Sequence, residues 1–302
     1  MTKETIVKRL PIVIISIVST GLLAGCGTSQ AGSLGPAPTG PDRPASSAGT
    51  TQPSGVQHPA PDTTSARPIG LETWFTRQGK LFVTERTVPA TVSVGRVALD
   101  RMLAGPSAAE YAAGLRSQIP AGTRVRGLDV AAGTATVDLS SSFAAAAGPP
   151  ATRLRIAQVV YTLAQFPTVS RVRFEINGQA VTAIGGIPLR GPQTPAMYRG
   201  YLPAIIVQNP VIGGQVASPV TISGTADVFE ATVSVRILNS AGDEIARTFT
   251  TATCGTGCRG DYSVPVRYAV THEEPGTIEV FETSMENGQP LHVQLIPVTL
   301  AP

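Results

Sequence analysis

Between Gly27 and Ile69 the chain reads GTSQAGSLGPAPTGPDRPASSAGTTQPSGVQHPAPDTTSARPI, and in these 43 residues only Leu34, Val56 and Ile69 are bulky aliphatics. A segment so poor in apolar side chains cannot bury enough surface to offset the entropy of ordering its backbone. It predicts a disordered Pro/Ser/Thr/Gly-rich tether over 26–69 that would span about 35–40 Å as a flexible coil. Folding is thereby confined to the roughly 230 residues that follow, enough for one large or two ordinary domains. The net charge of +3 is small. No Lys/Arg block interleaved with aromatics is present, so nucleic acid is not an expected partner.

Before the tether, MTKETIVKRL carries Lys3, Lys8 and Arg9 against Glu4, and an uncharged run of 14 residues follows from Leu10 to Leu23. A membrane-spanning helix needs about 20 apolar residues, so the run suits a signal-peptide core over 1–25. Leu23-Ala24-Gly25-Cys26 then resembles the lipobox of bacterial lipoproteins. That resemblance implies removal of the leader, attachment of a diacylglyceryl group with palmitate-type chains to the Cys26 thiol, and a lipid anchor on the extracytoplasmic face of the cell membrane. Two or three acyl chains hold a protein for good where one binds reversibly. An ordinary secretory signal with an incidental cysteine is the alternative.

Residues 70–187 mix the two periodicities. LETWFTRQGKLFVTERTVP predicts a hairpin turning at Gln78-Gly79, with Trp74, Leu81 and Val83 available for packing. In TVSVGRVALDRMLAGP, Leu99, Met102 and Leu103 share a helical face, and Gly105-Pro106 supplies the stop. Ser107-Ala108-Ala109-Glu110 fits a capping box opening a short helix to Ala113. A second hairpin turns at Ala132-Gly133, with Ala135, Val137 and Leu139 on one side. Ile156, Val160, Leu163 and Phe166 form a helical stripe ended by Pro167. Val172, Phe174 and Ile176 face away from Arg171, Arg173 and Glu175 before Asn177-Gly178, a strong hairpin signal. Asp138 beside Ser140 to Ser142 reads as a strand-to-helix turn. Gln158 and Tyr161 read as a solvent-touching helix surface, with a groove as the alternative. The whole is an α+β layer with helices on one side of a mixed sheet.

MLAGP, ATVDLSSSF and AQVVYTLAQFP give this stretch a resemblance to the GerMN domain of bacterial sporulation and germination proteins and of actinobacterial lipoproteins. The resemblance implies a non-catalytic assembly or wall-associated module and names no ligand. After a Gly/Pro-rich linker at 188–203, seven strand-like segments within 204–302 suit an all-β immunoglobulin-like sandwich. SPVTISGTADVFEATVSVRIL, TATCGTGCRGDYSVPV and GTIEVFETS resemble the Gmad-type immunoglobulin-like domain that accompanies GerMN.

Cys254 and Cys258 flank GTG, and outside the cytosol a disulfide is the natural reading. Zinc completed by His272 or His292 is the alternative, although the spacing lacks a matching second pair. Asp227, Phe229 and Glu230 in ADVFEA, with Phe281-Glu282 repeating the aromatic–acid pairing, form a candidate binding set. The competing reading has Phe229 folded back onto the sandwich edge. No nucleophile–base pair, phosphate loop or H-E-x-x-H pattern is present, so catalytic residues, cofactors and metal are not expected. The expected role is a membrane-anchored binding or assembly module of the envelope, related to sporulation and germination proteins. Its partners would be envelope proteins or further copies of itself. The alternative is a peptidoglycan binder or an accessory subunit of a wall hydrolase.

Overall fold

The computed structural model describes residues 67–302. The leader, Cys26 and the tether before residue 67 lie outside the described residues.

β1 (Ile69–Arg77) and β2 (Lys80–Val88) pair antiparallel from Ile69↔Val88 to Arg77↔Lys80. Gln78 and Gly79 both have positive φ, +51° and +74°, the backbone of a two-residue turn whose twist matches the strands. Trp74, Phe75 and the consecutive Leu81, Phe82 and Val83 are all buried. A ribbon covered on both faces reads as an unbroken apolar run rather than an alternation. Helices cover one face here, and β2 meets the second domain.

α1 (Val94–Leu103) buries Leu99 and Met102 and half-buries Leu103, as its spacing predicts. α2 (Ala108–Ala112) opens on the expected capping box. Ser107 Oγ accepts from the Glu110 N–H at 3.3 Å, and Glu110 Oε2 accepts from the Ser107 N–H at 2.7 Å. The same carboxylate is only 1% exposed. It accepts further bonds from Thr84 Oγ1 at 2.6 Å and from both terminal nitrogens of Arg86. Burial alone would raise its pKa; the hydrogen bonds from Arg86, Thr84 and Ser107, together with the Arg86 charge, outweigh burial and hold it below the usual carboxylate value.

β3 (Val125–Ala131), β4 (Thr134–Leu139), β5 (Arg171–Ile176) and β6 (Gln179–Ala180) lie side by side in that order. β4 and β5 run parallel and the other pairs antiparallel, so the sheet is mixed as expected. α3 (Pro149–Ala164) makes the crossover between the parallel pair. Its Ile156, Val160 and Leu163 join Ala135, Val137, Leu139, Val172 and Phe174 in the core, and Phe166 packs half-buried just beyond its end.

The solvent-facing reading of Gln158 is overturned. α3 is buried almost all round, and Arg155, Gln158, Thr162 and Gln165 recur every three or four residues, which places them on one face. That face meets the open edge of β1. Gln165 accepts from the Glu72 N–H and donates to the Glu72 carbonyl, both at 2.8 Å. Thr162 Oγ1 accepts from the Trp74 N–H at 3.3 Å, and Gln158 Nε2 donates to the Trp74 carbonyl at 2.8 Å. Two residues further on, Thr76 exchanges N–H and carbonyl with Arg116. Gln158 Oε1 also accepts from the Gln118 N–H, and Arg155 donates to the carbonyls of Gln118, Phe143 and Ala145. Polarity on this stripe marks backbone groups without strand partners rather than water. Tyr161 donates its hydroxyl to the Pro195 carbonyl at 3.0 Å.

The segment expected as a linker over 188–203 is packed, and a small hairpin leads into it. β7 (Ala183–Ile184) and β8 (Ile187–Pro188) form this hairpin. Gln193 bridges to Val172 through both backbone groups, and buried Tyr198 donates to Gln193 Oε1 within a 3₁₀ turn over Pro195–Tyr201. All seven expected strands of the second domain form: β9 (Ile205–Asn209), β11 (Val220–Ala226), β12 (Thr232–Leu238), β13 (Glu244–Thr251), β14 (Gly260–Val266), β15 (Glu274–Thr283) and β16 (Pro290–Leu300). A short β10 (Gln215–Val216) is added. They make a sandwich of β14-β11-β9 against β10-β16-β15-β12-β13 around Ile222, Val235, Ile278, Val280 and Ile296. Gly224 is required where it stands, since a Cβ there would lie 1.9 Å from the Ile206 carbonyl oxygen.

Two outcomes are expected. Gln158→Leu strands the Trp74 carbonyl and the Gln118 N–H at about 1–3 kcal/mol each, so its urea midpoint falls by the equivalent of at least about 2 kcal/mol; an unchanged midpoint would show that neither bond matters. Glu110, with its folded pKa depressed, contributes stability that is fully present above the unfolded carboxylate value of about 4.3 and is lost as pH falls through the folded value. Glu110→Gln is therefore less stable by about 3 kcal/mol at pH 7, and in thermal melts its deficit narrows between pH 5 and pH 2.

Candidate binding surfaces

The stretch that links β11 to β12, Asp227 to Ala231, holds most of the residues singled out in the sequence. Glu230 and Ala231 sit at φ +50° and +57°, a left-handed conformation that non-glycine residues hold only when the surroundings fix it. Those surroundings are a loop closed by a disulfide between Cys254 and Cys258, whose Cα atoms are 5.7 Å apart. Thr256 Oγ1 accepts from the Glu230 N–H at 3.1 Å, and the Thr256 N–H donates to the Val228 carbonyl at 2.9 Å. Gly257 donates its N–H to Asp227 Oδ1 at 2.8 Å. Gly255 lies so close that a Cβ would stand 2.5 Å from the Ala231 nitrogen, so only glycine fits. The paired cysteines and the acidic–aromatic turn are thus one device, in which the closed loop clamps the turn.

The clamp sorts the candidate residues. Asp227 is spent on the cysteine loop. Phe229 is 48% exposed rather than folded back on the sandwich edge, and its N–H donates to Glu282 Oε1 at 3.1 Å. Phe281 does not belong with it. A register shift between Val280 and Glu282, opposite His292 at φ +54°, turns Glu282 to the turn and leaves Phe281 1% exposed with the Arg236 guanidinium 5.4 Å from its ring centre. Phe229, Glu230 and Glu282 are joined by Phe249, Met285 and Thr232 around a hollow of about 250 Å³. Phe249 and Met285 went unread in the sequence. The available signal was an aromatic on the outer side of β13, opposite Ser234 and turned away from Val235.

His272 lies against Thr271, and His292 Nε2 is 3.6 Å from Glu282 Oε2. With both thiols in the bridge, neither imidazole meets a cysteine ligand. Asp138 lies within β4, just before the strand-to-helix turn, and its side chain serves the β5–β6 turn instead. Its Oδ1 accepts from the Gly178 N–H at 2.9 Å, and its other oxygen is 3.5 Å from Arg126, ahead of a 3₁₀ turn at Ser141–Ala144.

A second concavity of about 590 Å³ lies where the two domains meet, between Arg77, Lys80, Phe82, Gly114, Val293 and Leu295. Arg77 is its principal tie. Its guanidinium donates to the Leu295 carbonyl at 2.9 Å and to Gln294 Oε1 at 2.6 Å, 4.3 Å from the Phe82 ring centre. Burial lowers its pKa to about 10, so the charge persists at neutral pH. Gln208 donates to Glu72 Oε1 and Lys80 to the Gly200 carbonyl, both at 2.8 Å. Arg259, its pKa lowered chiefly by burial, fastens the connecting segment to the sandwich through the carbonyls of Pro203, Ala204 and Thr225. No sequence pattern marks Arg77 or Arg259 among the arginines.

A family model for Germane, described as sporulation and spore germination, matches residues 73–182. A model for Gmad2, described as an immunoglobulin-like domain of bacterial spore germination, matches residues 204–289. Among curated proteins none matches. Similar solved structures include the first GerMN domain of the sporulation protein GerM from Bacillus subtilis, 25% identical over 42% of this chain and 97% of that one, with a TM-score of 0.37. The tandem GerMN domains of the same protein are 16% identical over 78% of this chain and 61% of that one, with a TM-score of 0.38. The chain thus carries a Germane-type (GerMN) domain over residues 73–182 followed by a Gmad2-type immunoglobulin-like domain over residues 204–289.

Proposed function

We propose that the chain is a lipid-anchored, extracytoplasmic module that binds and assembles envelope proteins and carries out no reaction of its own. The observation that carries this reading is the union of two germination-type domains in one body, with a clamped, aromatic and carboxylate-lined hollow on the sandwich. A surface of that kind suits recognition: the strained turn is held ready, so little ordering is left to be done on binding. Among the described residues no helix is long and apolar enough to cross a membrane. Attachment is ascribed to the Leu23-Ala24-Gly25-Cys26 lipobox, whose acyl chains each contribute about 0.8 kcal/mol per buried CH₂.

The test begins with Cys26→Ser. The unaltered chain is expected to pellet with membranes and to incorporate labelled palmitate, and the variant to do neither. Identical fractionation and labelling would remove the anchor from the reading. Cross-linking in cells is expected to give protein adducts. Co-sedimentation with purified sacculi in the absence of adducts would transfer the role to wall glycan.

A further inference from the structure

The hollow beside the disulfide-clamped turn combines three properties that together specify a ligand chemistry. It holds two carboxylates. Glu230 makes no ion pair and no side-chain hydrogen bond among the described residues, and Glu282 accepts a single hydrogen bond, from the Phe229 N–H, with His292 3.6 Å away. It is walled by exposed apolar groups: Phe229 at 48%, Phe249 at 68% and Met285 at 76% exposure. Its volume of about 250 Å³ lies below the roughly 300–1,000 Å³ of pockets that enclose a whole small molecule, which leaves room for one long side chain. Carboxylates attract a cation, phenyl faces attract it through their quadrupole, and the apolar walls suit an alkyl stem. We infer that this hollow receives a lysine or arginine side chain from a segment of a partner protein.

A protein partner is favoured by what continues from the hollow. Leu291 on β16, opposite the hollow's Glu282, is also exposed, as are Val293 and Leu295 further along the strand, beside the concavity at the domain junction. Scattered aliphatic side chains of this kind offer nothing to the hydroxyls of a glycan, but they match the alternate apolar side chains of an extended polypeptide. β13, which carries Phe249, is an edge strand of its sheet. The left-handed backbone at Glu230 and Ala231 is the strain expected where a turn is held in a conformation suited to contact.

This assignment rests on the proposed binding role and sharpens it, and the two fail separately. The probe is a fluorescein-labelled octapeptide of alternating valine and threonine with one central lysine, compared with counterparts carrying norleucine or glutamate at that position. Anisotropy with the purified full chain is expected to show the lysine peptide binding about tenfold more tightly than the norleucine peptide, no binding of the glutamate peptide, and weakening as salt is raised. Glu230→Gln removes a carboxylate with no internal partner, so it should melt like the native chain yet bind the lysine peptide about tenfold more weakly. Phe249→Thr should weaken it about threefold, and Glu273→Gln, on another loop, should not. Equal affinity for the lysine and norleucine peptides, no binding of the lysine peptide, or an unaltered affinity in Glu230→Gln would each overturn the assignment, as would displacement of the lysine peptide by purified sacculi. If cellular cross-links persist unchanged in Glu230→Gln, the binding role stands and this hollow is not its seat.

Discussion

The first domain depends on how the edge of β1 is closed. A two-stranded ribbon has an unpaired row of N–H and carbonyl groups on each outer side, and burying such a row without partners is prohibitive. The row on β1 is satisfied by side chains of α3: Gln165 at Glu72, then Thr162 and Gln158 at Trp74, with Arg116 taking over at Thr76. The helix acts as a third strand would, but through amide and hydroxyl groups on one stripe. Because the same helix also supplies Ile156, Val160 and Leu163 to the sheet core, ribbon and sheet are fixed relative to one another by a single element.

That arrangement explains what was legible in the sequence and what was not. Turns with a strong local cause were read correctly: Gln78-Gly79, Ala132-Gly133 and Asn177-Gly178 all sit at positive φ, and the Ser107/Glu110 box forms as written. Strand alternation in the second half gave every major strand of the sandwich. On α3, polarity is a poor sign of solvent. Gln158 looks like a surface residue on any hydropathy scale, and only the presence of an open strand edge against it makes an amide the residue that fits there. Phe281 failed for a different cause. A register shift cannot be seen in a strand whose alternation looks regular, and one displaced residue exchanges the exposed and covered positions around it. Phe229 and Glu230 in the turn and Glu282 on β15 are conspicuous as an aromatic flanked by acids and an aromatic–acid pair, whereas Phe249 and Met285 reach the hollow from segments remote in sequence.

The spacing Cys254–Cys258 was legible as a short oxidised loop, but its purpose was not. Closing so few residues removes little chain entropy. Its larger effect is local: it presents Thr256 and Gly257 to Asp227, Val228 and Glu230 at fixed positions. The bridge therefore shapes a surface more than it stabilises a domain.

Phe82 and its neighbours on β2 carry one last implication. The seam they form with Pro203, Ile205, Ile206 and Val207 is narrow, and buried side chains from Trp74 to Leu300 make a single continuous apolar cluster across both halves of the molecule. Two modules that sequence families treat as separable units have here grown together at a shared wall. A fragment ending before Ile205 would bare a greasy strip beside an open ribbon, the kind of surface on which chains stick to each other. Evolution could exchange neither module for a homologue without also refitting the partner's side of that wall.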